Sequence, residues 1–295
     1  LYVMPHSIRK LKENGYVVLD MYKFEKVSIP TNVGTILVFT SLLSISLVPL
    51  IIRIFNLFFD DYKLDNYYLT ESLLALILVV SIFALYGLVD DLVDIGRKLK
   101  LIIPLTFVFP LISVVELDFF HIPFYGKLDL TRDFYGDISR EELFQVIVIP
   151  IYVMVVANLV NMHSGYNGLQ SGLSIILLIA IIVKSYIDST INQINPIGAF
   201  LGSLLAFYYF NKYPSKVFEG NIGALFYGSI IGGTLVMQGL WWFGIFILIP
   251  HIFNFLLWMF WLIMMKVNPE KYLGIDGQHL KFVKVSKDGF IIPPN

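Results

Sequence analysis

Asn158-Leu-Val-Asn161-Met-His163-Ser-Gly165-Tyr-Asn167-Gly168-Leu-Gln-Ser-Gly172 is a polar, glycine-rich run set directly between two long apolar segments. Lipid offers amides no hydrogen bonds, so a cluster of polar side chains at the mouth of a membrane helix needs another reason to be there. Asn158 and Asn161 are three residues apart and share one side of any helix that continues through them. Gly165 and Gly168 permit a tight turn that brings backbone close to a ligand. A plain helix cap needs one or two polar groups, and this run holds more.

The chain on either side belongs in a bilayer. Of its 295 residues, 57% are hydrophobic and 15% charged, where a soluble protein has about a quarter charged. Apolar blocks of spanning length fall at 33–55, 69–89, 101–117, 143–160, 172–187, 197–210, 222–238 and 240–265. Leu1–Ser7 reads as the tail of a further span, ending in the basic stop that begins Ile8-Arg9-Lys10. The predicted fold is therefore an all-α polytopic membrane protein. The net charge of −1 gives no field that would favour nucleic acid. Cysteine is absent, which excludes disulfides, thiolate metal sites and cysteine nucleophiles.

Basic residues orient the spans. The loops at 8–30, 90–100, 211–221 and 266–295 hold 15 of the 21 Lys and Arg residues, so that side is predicted to be cytoplasmic. On the opposite side, Glu116–Leu130 carries Pro123 and Gly126 and reads as a short hairpin. Ser139-Arg-Glu-Glu142 is a capping box that starts the next span. A second small hairpin is expected between Val283 and Ile292.

Every strong polar cluster falls on the predicted cytoplasmic side. Asp90-Asp91 sits at a span end, followed by Asp94, Arg97, Lys98 and Lys100. Adjacent carboxylates there repel and lose hydration, a cost that a divalent cation or a phosphate-handling task would justify. Pro214-Ser-Lys216-Val217-Phe218-Glu219-Gly220-Asn221 reads as an ordered loop with Phe218 offering an aromatic face. Pro250-His251-Ile-Phe253-Asn254-Phe255 points to a broken helix. His251 and His163 read as core histidines with satisfied ring nitrogens. Carboxylates, amide oxygens and lysines together suit Mg²⁺, with Mn²⁺ as the alternative, and suit phosphoryl transfer. A site of that kind at a membrane implies one lipid-borne and one soluble reactant.

These motifs, in this order, resemble the polyprenyl-phosphate N-acetylhexosamine-1-phosphate transferases, also called glycosyltransferase family 4. Similarity is greatest to the archaeal and eukaryotic dolichyl-phosphate branch. Gly15 to Lys23 and Ile29-Pro30 are similar to the family's first cytoplasmic loop, and Gly87 to Asp91 with Lys100 to its paired-aspartate segment. Asn158 to Leu169 and Pro214 to Asn221 are similar to its next two motifs. The resemblance implies about nine or ten spanning helices. It implies one transmembrane transferase domain over 1–265, with 266–295 as a cytoplasmic loop and hairpin of the same domain. It also implies transfer of GlcNAc-1-phosphate from UDP-GlcNAc to a dolichyl or polyprenyl phosphate, releasing UMP, as a first membrane step of N-glycan or surface-glycan assembly. Asn161 and Asn221 would hold Mg²⁺. Asn167, Phe218 and Gly165 would form the uracil pocket, with Asn158 among the substrate-binding residues. Lys100 would meet the diphosphate and Lys23 the lipid phosphate. Asp90 and Asp91 are needed in the family and are read here as electrostatic positioning groups. Membrane lipids and a second copy of the chain are the other partners considered, and an archaeal source would place the protein in the plasma membrane.

The chain also departs from the family. Asn221 stands where the family has Asp, which removes a full negative charge from the metal site. That keeps a weak or non-catalytic nucleotide-sugar-binding homologue as the alternative. Sugar-reading arginines have no clear match, and His279 is the substitute considered with Lys271. Eight crossings and an entering stub lead to the expectation of a chain shortened at both ends. A secondary transporter is the third class considered, although no internal repeat supports it.

Overall fold

The computed structural model describes residues 2–20, 27–59, 70–135, 138–190, 197–269, 284–285 and 291–292. The protein is an all-α polytopic membrane protein with small β-hairpins. The long helices are α2 (Gly34–Phe58), α3 (Glu71–Val93), α6 (Arg140–Asn161), α7 (Leu169–Ile187), α9 (Gly220–Met237) and α11 (Ile249–Val267). Among the described residues, these six are long and apolar enough to cross a membrane. A shorter apolar helix, α8 (Ile197–Asn211), packs on α7 and α2.

At the centre stands α9. Every residue from Ile222 to Val236 is buried, and the helix packs chiefly on α3 and α6, with α2 beside them. Its glycines explain how. A Cβ on Gly228 would lie 2.7 Å from the Cα of Ala157 in α6, and one on Gly232 3.2 Å from the Cα of Val153. Gly87 of α3 faces Ile222, where a Cβ would lie 2.6 Å from the Ile222 Cα. Gly34 of α2 faces Gly223, and a Cβ on Gly34 would come within 2.3 Å of the Gly223 nitrogen. Lipid is as apolar as leucine, so membrane helices associate through close packing, and small residues permit that approach.

Two apolar blocks are not single helices. The stretch read as 101–117 is broken into α4 (Arg97–Ile102), a 3-10 segment (Ile103–Val108) and α5 (Phe109–Ile112). Pro104 and Pro110 lie within it, and each lacks the N–H that a continuous helix would use. The block at 240–265 breaks at Leu248 into α10 (Trp241–Ile247) and α11. Of the residues of α11, His251 is the one buried. Val3–Glu13 forms an amphipathic helix, α1, that runs through the basic stretch. Met4, Ile8 and Leu11 pack on the core along one stripe while Arg9, Lys10 and Lys12 stay exposed.

On the face opposite Asp90, β3 (Phe119–Ile122) pairs with β4 (Gly126–Asp129) as the expected hairpin. A shorter ribbon, β5 (Asp133–Tyr135) with β6 (Ile138–Ser139), precedes α6. Its Ser139 Oγ accepts from the Glu142 N–H while Glu142 accepts from the Ser139 N–H, completing the capping box. Phe120 joins Phe144 and Trp241 in an aromatic cluster, and the Tyr152 hydroxyl donates to the Trp241 carbonyl at 3.0 Å. On the Asp90 face, β1 (Val17–Leu19) pairs with β2 (Ser28–Pro30). This ribbon falls within what reads in sequence as a polar loop, because three residues are too short to show alternation. Near the C-terminus β7 (Lys284–Val285) pairs with β8 (Ile291–Ile292), as expected.

Gly228→Ala inserts a methyl group against backbone and is expected to cost about 1–3 kcal/mol. Gly198→Ala in α8, with open space around its Cβ position, is expected to be neutral or stabilising by up to about 1 kcal/mol. Thermal unfolding in detergent compares the two, and equal midpoints would refute the packing account.

Candidate active site

Four chain segments meet at the end of the bundle that holds Asp90. They are the end of α3, the turn from α6 to α7, the loop from α8 to α9, and the β1–β2 ribbon.

Asp90 is buried, 4% exposed, beside the like charge of Asp91, and its carboxylate is both paired and hydrogen-bonded. Lys100 Nζ lies 2.9 Å from Oδ1, which also accepts the Ile95 N–H. Asn221 Nδ2 donates to Oδ2 at 2.8 Å. Burying a carboxylate costs several kcal/mol unless it is paired and hydrogen-bonded, and Asp90 is both. Lys100 reaches Asp90 because Asp94, left-handed at φ 54°, turns the chain back into α4.

Asp91 does something different. Its carboxylate accepts the backbone N–H groups of Asn221 (3.0 Å) and Ile222 (3.3 Å). These are orphan donors at the start of α9, so Asp91 caps that helix from a neighbouring one. Gly220, at φ 74°, makes room: a Cβ there would lie 2.7 Å from Asp91 Oδ2. Asn221 therefore touches both aspartates.

The second cluster centres on Asn167. Its Nδ2 donates to Asp20 at 3.2 and 3.0 Å, and its Oδ1 accepts the Ser215 N–H at 2.7 Å. Gly165 and Gly168 adopt positive φ in this turn, as read from the sequence. The loop after α8 is held from within. Asn211, buried at the end of α8, donates to the Val217 carbonyl and accepts from Ser171. Glu219 is buried, its Oε2 has no hydrogen-bond partner among the described residues, and burial pushes its carboxyl up to about 7.

The structure treats the other sequence candidates unequally. Asn158 turns back on its own helix, donating to the Met154 carbonyl, and Asn161 accepts from Ser164 three residues on. Phe218 does not present an open aromatic face. It is 5% exposed, its N–H donates to the Pro30 carbonyl, and its own carbonyl accepts the Val33 N–H. Loop-to-ribbon pairing has turned the ring inward. Lys23 and His279 lie outside the described residues, as does Lys271. Sequence reasoning placed Asp20, Asn211 and Ser215 inside its polar stretches but gave none of them a role. The one signal for Asp20 is a carboxylate directly after the apolar run Val17–Leu19.

His163 and His251 pack ring to ring, with centroids 4.4 Å apart. His163 is satisfied by the Leu159 carbonyl, and burial, partly opposed by that bond, holds it below its ordinary pKa. For His251 the core-satisfied reading is corrected, because neither ring nitrogen has a hydrogen-bond partner among the described residues.

The family model for glycosyl transferase family 4 matches residues 73–239. That span runs from α3 to just past the end of α9 and contains both clusters except Asp20. The chain belongs to glycosyl transferase family 4. A Saccharolobus solfataricus protein, provisionally named a UDP-N-acetylglucosamine–dolichyl-phosphate N-acetylglucosaminephosphotransferase, is 30% identical over 257 residues. The match covers 85% of this chain and 71% of that protein. A Sulfolobus acidocaldarius protein of the same provisional name is 28% identical, over 83% of this chain and 70% of its own. A Wolbachia phospho-N-acetylmuramoyl-pentapeptide-transferase is 26% identical, over 78% and 68%. This family-4 chain is therefore an integral membrane transferase.

In this family-4 transferase the Asp91 cap makes a stability prediction. Asp91→Ala strands two N–H groups at the start of α9 and is expected to cost about 0.5–2 kcal/mol. Lys12→Ala, at an exposed position within helix α1, should stay within about 0.5 kcal/mol of wild type. Unfolding midpoints decide it, and equal losses would remove the capping role.

Proposed function

We propose that the protein transfers GlcNAc-1-phosphate from UDP-GlcNAc to a dolichyl or polyprenyl phosphate, at the cytoplasmic face of its membrane. The observation that carries this reading is the convergence of Asp90, Asp91, Lys100 and Asn221 at one helix end in a family-4 chain. The printed names of the archaeal relatives supply the substrates. In the reaction, a lipid-phosphate oxygen forms a bond to the sugar-bearing phosphorus. The bond from that phosphorus to the bridging oxygen breaks, and UMP leaves with the electron pair.

Positioning and charge are what such a transfer needs from protein. Lys100 is one-third exposed, so it can turn toward a diphosphate while Asp90 holds its stem in place. A lipid phosphate is largely ionised at neutral pH, so no base is required to activate it. The oxygen donors present fit Mg²⁺ in kind, since hard cations take carboxylate and amide oxygens and share substrate phosphates. Asn161 and Asn221 would hold it, and Asp90 and Asp91 have lone pairs beyond those used by their present partners. Bound there, Mg²⁺ would neutralise charge on the diphosphate.

A specific observation favours a second reading, a nucleotide-sugar-binding homologue with little turnover. Asn221 satisfies Asp90 through its own N–H group, whereas an Asp there would face Asp90 with like charge and call for a cation.

UMP release from UDP-GlcNAc with a polyprenyl phosphate, with Mg²⁺ and with a chelator, tests the assignment. Release that depends on both lipid and metal is expected, and binding without release would establish the second reading. Asn221→Asp is expected to raise the rate or lower the Mg²⁺ required, and to make the unfolding temperature rise with added Mg²⁺. No change in any of the three would refute the metal role of position 221.

A further inference from the structure

Asp20 is a buried carboxylate outside the family-model match, and its place in the site has a geometric explanation. It is 1% exposed at the end of β1. Its own N–H donates to the Val27 carbonyl at 2.9 Å, which draws together the two ends of the connection carrying Lys23 and Lys26 in sequence. Both carboxylate oxygens accept from Asn167 Nδ2. Across the same amide, Asn167 Oδ1 accepts the Ser215 N–H, and Ser215 Oγ donates to the Val217 carbonyl at 2.8 Å. From there the chain runs through Glu219, whose carbonyl accepts the Gly34 N–H at 2.8 Å, to Asn221.

One asparagine amide thus ties together three segments far apart in sequence. An amide has a donor end and an acceptor end. The acid takes the first and a backbone N–H takes the second, so neither end can be exchanged for a residue of one polarity. The bond to Asp20 is charge-assisted, and a buried carboxylate without its donor is costly. Close approach elsewhere depends on the same register: a Cβ on Gly168 would lie 2.9 Å from the Lys212 Cα.

We propose that Asp20 is a positioning residue that acts through Asn167, setting the α8–α9 loop and the β1–β2 ribbon against the α6–α7 turn to shape the nucleotide-sugar side of the site. The role rests on the transferase reading above. It also assigns Asn167 to clamping the loops.

Exchanging the two side chains tests it on the full-length protein in detergent or nanodiscs. Asp20→Leu and Asn167→Asp each break the pair, the first by removing the acceptor and the second by facing acid with acid, while the double variant combines Asp20→Asn with Asn167→Asp. The double variant restores an amide–carboxylate pair in reversed order and leaves an oxygen for Ser215. Each single change is expected to raise KM for UDP-GlcNAc about tenfold or more, with a smaller effect on kcat. Amide hydrogen exchange over residues 212–219 should speed up in both. The double variant is expected to restore slow exchange over residues 212–219, the readout that reports the clamp apart from any contact of Asn167 with substrate. A double variant whose residues 212–219 exchange as fast as in the singles would overturn the proposal. So would an Asp20→Leu protein with wild-type KM and exchange. Should the wild-type protein release no UMP, the transferase reading fails, and the exchange measurements alone decide whether the clamp exists.

Discussion

At glycines along its contacts, the backbone of α9 meets the backbones of α2, α3 and α6 directly. Gly223, Gly228 and Gly232 on α9, with Gly34 and Gly87 opposite, make this approach possible. In water a glycine-rich helix would lose stability through its backbone entropy. In a bilayer the balance shifts, because burial from water no longer drives helices together and contact distance does. The bundle is therefore assembled around a helix whose glycines let backbones touch while Phe226 and Tyr227 fill the space beside them.

That constraint fixes where the chemistry sits. The N-terminus of α9 is delivered against the C-terminal end of α3, so the acidic pair on α3 falls beside the first amides of α9. Asp91 and Asp90 divide the result between them: one caps the helix and the other organises a lysine and an amide. Loops that carry the remaining polar groups have no such rigid support. They are held by side-chain amides, Asn167 and Asn211, that bridge backbone and carboxylate. A rigid glycine-packed core thus borders a rim whose geometry depends on a few hydrogen bonds.

Much of this was legible in the amino-acid sequence. Long apolar blocks, the basic-residue bias, the capping box at Ser139 and the Pro123–Gly126 hairpin depend on local composition, and local composition shows in sequence. The pairing of Asp90, Asp91, Lys100 and Asn221 was legible only through family-like motif order, since nothing local links residues 90 and 221. What escaped notice was tertiary. The ring of Phe218 turns inward because of pairing with Pro30 and Val33, some 185 residues away. His251 lies against His163 because α10 and α11 break one residue before Ile249. The β1–β2 ribbon is too short to show a period. Asp20 looked like one more loop carboxylate until its burial was visible. Lys23 and His279 fall outside the described residues, so the structure adds nothing to their reading.

One feature of the bundle reaches beyond its own atoms. Among the described residues, 6% of the apolar window of α11 is buried, and its one buried side chain, His251, rests on the α6–α7 turn. The α6–α7 turn, which carries Asn167, is thus braced from behind by a helix whose remaining sides are left to whatever surrounds it, while α9 meets protein on every side.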